Sequence, residues 1–227
     1  MKKTLLVAGL LASLSANANL IVNGSFELQS NNPGTATLFS DASPLTGWER
    51  APGSGSPYVE TRNNFRGVAS EGVNFAELDV VNFGETGFDT GLGGMFQSVT
   101  ITTAGLYDFS FDYAARVLVY NEVNTSSLQF SLLDSSSNSV LQEILNPITP
   151  NVTASDWLTY TNQFNLQSGS YTFMFKELGF QDGRGTSLDN VVLLASKTTT
   201  AVPEPETYGM MMLGLAMLGF ASRRRKA

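Results

Sequence analysis

Glu60, Glu77, Asp79, Asp112 and Arg116, in the middle of the chain, have the types from which a polar ligand site or an acid–base pair is made. Carboxylates and guanidinium groups grip sugar hydroxyls through directional, charge-assisted hydrogen bonds. Exposed aromatic rings stack on the apolar faces of sugars, and Tyr58, Phe65, Trp48 and Trp157 are the rings available here. The candidate ligand-binding residues are therefore Tyr58, Glu60, Phe65, Glu77 and Arg116. Three uses of the set compete: a buried ion pair tying sheets together, a sugar site, and a glycosidase pair of carboxylates. The last needs two carboxylates about 5–10 Å apart in a cleft, one with a raised pKa. The chain has 20 Asp and Glu, so such pairs arise by chance and acid abundance does not argue for catalysis. Trp48 and Trp157 are core residues by default, and the buried ion pair is the default for the charges.

Two absences narrow the chemistry. The chain has no histidine, which removes Ser-His-Asp and Cys-His mechanisms and every His-ligated metal site. It has no cysteine either, so the fold must rest on its core. Two of the 13 Lys and Arg lie in the N-terminal segment and four at the C-terminus, while two of the 20 Asp and Glu lie in the C-terminal segment. The body between is left near −11, the wrong sign for a nucleic-acid or anionic-membrane surface.

The elements that must position these groups are strands. Phe109, Phe111 and Tyr113 alternate with polar residues, as do Leu128, Phe130 and Leu132, and Tyr171, Phe173 and Phe175. Turn signals separate them at 103–105, 134–138, 167–170 and 181–185. No amphipathic helix is legible in the body. Many short strands with glycine-rich turns predict an all-β sandwich of two antiparallel sheets. Gly91-Leu92-Gly93-Gly94 reads as a turn, since no Lys-Ser/Thr follows to make it a phosphate loop.

Both ends read as address labels. Met1 to Ala18 has a basic head, a short apolar run and a small-residue cleavage site, the parts of a secretory signal peptide. Residues 19–197 form the sandwich domain. Residues 198–207 are a linker in which Val202-Pro203-Glu204-Pro205 is kept extended by its prolines. Tyr208 to Ser222 is an apolar transmembrane sorting helix of marginal length. The basic tail at 223–227, with Arg223, Arg224 and Arg225, keeps that end cytoplasmic.

Val202 to Pro205, the apolar segment and the arginine cluster together resemble the PEP-CTERM sorting signal of Gram-negative bacteria. The resemblance implies recognition and cleavage by an exosortase, and a mature protein at the cell surface or in a biofilm matrix. Within the body, Asn23-Gly24-Ser25-Phe26-Glu27 near the start and Leu188-Asp189-Asn190-Val191 near the end resemble the galactose-binding-like jelly roll of carbohydrate-binding modules. Gly47-Trp48, Gln97-Ser98-Val99 and Phe109-Ser110-Phe111 fit the same pattern. That resemblance implies a structural calcium ion between the first and last strands, with Asn23, Ser25, Glu27 and Asp189 as its oxygen donors; calcium takes about 6–8 oxygens. The expected protein is exported, non-enzymatic and sugar-binding. A purely structural matrix protein and a polysaccharide hydrolase are the alternatives.

Overall fold

The computed structural model describes residues 18–29, 31–84, 87–116, 125–147, 156–196 and Leu213, with backbone alone over 81–84 and 87–90. Two compact units divide the chain, Met1–Ala195 and Ser196–Ala227. The signal peptide before Ala18, the Val202–Pro205 motif and Arg223 to Arg225 lie outside the described residues. Among the described residues no helix is long and apolar enough to cross a membrane.

The described residues of the first unit form an all-β, antiparallel jelly-roll sandwich. Its strands are β1 (Ala36–Phe39), β2 (Glu49–Arg50), β3 (Val59–Asn63), β4 (Asn74–Glu77), β5 (Asp79–Gly84), β6 (Gly87–Leu92), β7 (Gly94–Ile101), β8 (Gly105–Ala115), β9 (Leu128–Leu133), β10 (Ser139–Leu145), β11 (Leu158–Leu166), β12 (Gly169–Glu177) and β13 (Thr186–Ala195). One sheet runs β1-β3-β4-β13-β8-β11 and the other β10-β9-β12-β7-β2, with β5 and β6 as a separate hairpin.

The alternation legible along β8, β9 and β12 does what it predicts. Phe109 and Phe111 of one sheet meet Phe130, Phe173 and Phe175 of the other at centroid separations of 4.9 Å (Phe109–Phe130), 4.9 Å (Phe109–Phe173) and 5.0 Å (Phe111–Phe175). Those five rings are almost wholly buried. Burying one such side chain is worth about 1.5–3 kcal/mol, so this ring stack replaces the disulfides the chain lacks. The turn signals at 103–105, 134–138, 167–170 and 181–185 fall where β7, β9, β11 and β12 hand over to the next strand.

Two local readings change. The Asn23–Glu27 segment is not a strand, because Asn23 and Phe26 take positive φ values of 56° and 57°. It runs beside β13 as a chain of turns, joined by Leu20 N–H to Leu193 O at 2.9 Å and Val191 N–H to Gly24 O at 2.9 Å. A Cβ at Gly24 would stand 1.9 Å from Val191 O, so only glycine permits that approach. Gly91 to Gly94 is likewise no turn. It carries the chain from β6 into β7, where a Cβ at Gly93 would lie 2.6 Å from Leu78 O.

Candidate functional site

The charged residues come together first. On β3, Val59 faces the core, so Glu60 and Arg62 share the outer face of the larger sheet. Register places Glu60 directly opposite Glu77 on β4, an arrangement that like charges oppose. Arg62 resolves it: its Nε donates to Glu60 Oε1 at 2.7 Å and its Nη2 to Glu77 Oε2 at 2.6 Å. Glu77 Oε1 takes the Gly185 N–H at 2.6 Å. Arg116 bonds the Gly183 carbonyl through Nη1. Glu60, Arg62, Glu77 and Arg116 are all buried.

Of the three uses open to these residues, the placement is that of an interior ion-pair cluster. The cation between the carboxylates is Arg62, which sequence reasoning passed over in favour of Arg116. The alternation Glu60-Thr61-Arg62 was the signal for it. Tyr58 and Phe65 are half-buried. Phe65 lies against charge, with the Arg62 and Arg66 guanidinium carbons 5.8 and 5.2 Å from its centroid. Trp48 is buried in the core with its Nε1 on Asn23 O at 3.0 Å. Trp157 is only half-buried: it meets the Phe75 ring edge-on at 5.9 Å and donates to Val68 O.

The remaining interior acids shape loops. Asp79 Oδ2 accepts three successive N–H groups, from Asp182, Gly183 and Arg184, at 2.8, 2.6 and 3.1 Å. Glu177 accepts from Ser127, Gly179 and Thr186. With Glu77, they hold the 178–185 connection between β12 and β13. Burial pushes the carboxyl pKa of Glu77, Asp79 and Glu177 up, against the pull of these donors and, for Glu77, of Arg62. Asp112 has its own donors, Ser70, Thr159 and Asn190.

Glu27 and Asp189 do the same for the 64–73 connection. Glu27 Oε1 accepts Val73 and Asn74 N–H at 2.7 Å each, and Oε2 accepts Asn74 Nδ2 at 2.8 Å. Gly72, at φ 65°, passes so close that a Cβ would stand 2.3 Å from Glu27 Oε1. Asp189 Oδ2 accepts Ser70 and Glu71 N–H, and Oδ1 accepts Asn190 N–H. In the structure the expected calcium donors Asn23, Glu27 and Asp189 are engaged with the protein's own N–H groups. Asn23 Oδ1 is taken by Leu28 N–H, and the four carboxylate oxygens are taken as just described. Ser25 lines a cavity of about 420 Å³ with Asn23, Glu27 and Glu71. Among the described residues no three acidic side chains converge as metal ligands do.

The open site lies elsewhere, at the side of the sandwich where β1 and β2 are the edge strands. A groove of about 590 Å³ opens there, lined by Phe39, Asp41, Trp48, Glu49, Arg50 and Phe96 among others. Phe39 and Phe96 are half-buried, while Asp41 and Glu49 are exposed. The Arg50 guanidinium meets Asp41 twice, Nη2 to Oδ2 at 3.2 Å and Nε to Oδ1 at 3.4 Å. Its floor is apolar, with Leu45, Trp48 and Val59 buried, and its rim carries acceptors and one guanidinium. Sequence reasoning missed Phe39, Glu49, Arg50 and Phe96, which come from three separate strands, and Asp41 from the turn after β1.

Residues 201–226 match the PEP-CTERM protein-sorting motif, so the chain carries the sorting signal of an exported, membrane-anchored precursor. No curated protein matches the chain. Among solved structures, the sandwich is similar to a family 16 carbohydrate-binding module at 18% identity, covering 78% of this chain and 99% of that one, with a TM-score of 0.46. It is similar to the K1 cleaved adhesin domain of Lys-gingipain from Porphyromonas gingivalis W83 at 17% identity, covering 72% and 100%, with a TM-score of 0.45. A third likeness is tailspike protein 4 of bacteriophage CBA120, at 15% identity and a TM-score of 0.43. There the match takes in 77% of this chain but only 21% of the solved chain, the tailspike's enzymatically active domain. None of these three lends the chain a ligand or an activity.

Proposed function

We propose that this is an exported surface or matrix protein whose sandwich binds carbohydrate without transforming it, in the groove between β1 and β2. One observation carries the reading: half-buried Phe39 and Phe96 share an open groove with Asp41, Glu49 and Arg50. Phe39 and Phe96, with the lining Pro44 and Pro52, offer apolar surface to a pyranose face, and the carboxylates accept hydrogen bonds from its hydroxyls. The non-enzymatic part of the proposal draws support from the employment of the interior acids, whose oxygens hold loop N–H groups or Arg62. A glycan array probed with the full chain is expected to show binding that Arg50→Ala and Glu49→Gln each weaken about tenfold or more. An array without hits, or variants that bind as well as wild type, would remove the groove as a sugar site.

The sorting motif supports the rest of the reading: an exosortase processes the precursor near Val202 to Pro205, and the mature protein resides at the surface or among exopolysaccharide. Mass spectrometry of the exported form is expected to show a chain ending before Arg223. A mature chain that keeps Arg223 to Lys226 would make the tail a permanent anchor.

A further inference from the structure

Resting on the carbohydrate reading above, we infer that the β1–β2 groove selects uncharged glycans and refuses polyanionic ones, uronate-rich chains above all. Among the described residues Arg50 is the one cation that lines the groove. Arg50 stands against two lining acids, Asp41 and Glu49. Arginine reads an anionic sugar by turning its fork of N–H donors onto the ligand's carboxylate. Here Nε and Nη2 already meet Asp41, so one edge of the fork is engaged within the protein and the Nη1 side is what remains for a ligand. Glu49, exposed on the same two-residue strand, takes part in none of the described ion pairs.

A uronate entering the groove would therefore meet a half-engaged guanidinium and an unmatched negative charge. Its carboxylate could only accept hydrogen bonds, and beside two protein carboxylates that also only accept, the free side of Arg50 is the one charged donor the described lining offers. A neutral pyranose brings the opposite complement, since its hydroxyls donate to Asp41 and Glu49 while its ring face lies on apolar surface. Lys176 is not among the lining residues, and its ammonium is on the Pro52 carbonyl. Distant charge acts in the same sense, because a body near −11 repels a polyanion before contact.

The deciding experiment is affinity electrophoresis of the full-length protein in gels carrying either the neutral glycan of highest array signal or alginate, at 50 and 300 mM salt. Retardation by the neutral glycan, little changed by salt, with retardation by alginate at least about tenfold weaker, is the expected result. Asp41→Asn frees the Arg50 fork and is expected to strengthen alginate retardation about tenfold at low salt, an increase that fades at high salt. Wild-type protein held by alginate as strongly as by the neutral glycan overturns the inference. So does an Asp41→Asn variant that stays folded, by its thermal transition, and gains nothing on alginate. Retardation by neither polymer overturns the sugar reading itself, and this inference falls with it.

Discussion

Replacing Arg62 with alanine is expected to cost about 3–5 kcal/mol of folding stability, the usual penalty for leaving a buried charge unpaired. The cost comes from what stays behind. Glu60 and Glu77 oppose each other across β3 and β4, with Glu60 at 3% exposure and Glu77 at 0%. With the guanidinium gone, the Glu60–Glu77 pair faces itself out of water with its negative charge unmatched, and only the Gly185 N–H remains on Glu77. The structure must then take up protons, admit water, or part β3 from β4. Urea unfolding of the full chain measures the loss directly. The triple change Arg62→Met with Glu60→Gln and Glu77→Gln is the control, because it removes all three charges while keeping the volume. It is expected to recover much of the loss, since a buried ion cluster replaced by groups of like shape is often neutral or stabilising. A loss below about 1 kcal/mol for Arg62→Ala would mean that the cluster is wetter than its burial implies.

This cluster also marks where sequence reasoning reached its limit. The aromatic alternation of β8, β9 and β12 was legible because each strand has one core face, and period two survives any change in neighbours. Glu60 and Arg62 were harder to place. They lie on the outward face of β3, where alternation predicts solvent, yet both are buried. Asp189 and Asp112 lie farther along the same sheet, opposite each other in register, and hold the returning loop through Ser70. Nothing in the composition of residues 64–73 announces that the loop is tied there. Asn190, at φ 50°, interrupts the β13 register in a way its neighbours do not signal. The groove was the least legible feature of all. Asp41 and Arg50 meet across a turn that ends in a two-residue strand, and Phe96 arrives from β7 through pairing with Glu49. Such sites are made by closure of the sandwich and leave no periodic trace. The sorting motif, by contrast, was readable from its local order of proline, apolar segment and arginines, because a signal read by another protein must be local.

Stability is expected to fall as pH rises from about 4.5 to 8, contrary to the common loss of stability in acid. Burial raises the Glu77 carboxyl from 4.5 to about 8, with Glu60 adding to the rise and Arg62, Arg116 and the Gly185 N–H opposing it. Burial likewise raises Asp189 from 3.8 to about 7, helped by the charge of Glu71 and opposed by the N–H groups of Ser70, Glu71 and Asn190. Asp79 and Glu177 move the same way. Between the unfolded and folded values the native chain holds protons that the unfolded chain has released. Deprotonation then favours unfolding, so the contribution is complete below the unfolded pKa and is lost as pH rises through the folded one. Each tenfold change in proton affinity corresponds to about 1.4 kcal/mol. Arg62 already opposes the rise at Glu77, so what remains is a net loss of stability as pH rises across the window. The exposed Asp134, lowered by the N–H groups of Asn138 and Ser136, acts in the reverse sense on the acid side. Thermal unfolding at pH 5 and pH 8 tests the sign, with the higher Tm expected at pH 5. Glu77→Gln, which carries no titrating proton, should flatten the slope. An unchanged slope in that variant would assign the proton to another carboxyl, and a higher Tm at pH 8 in the wild-type chain would show these buried acids to be ionised in the folded state.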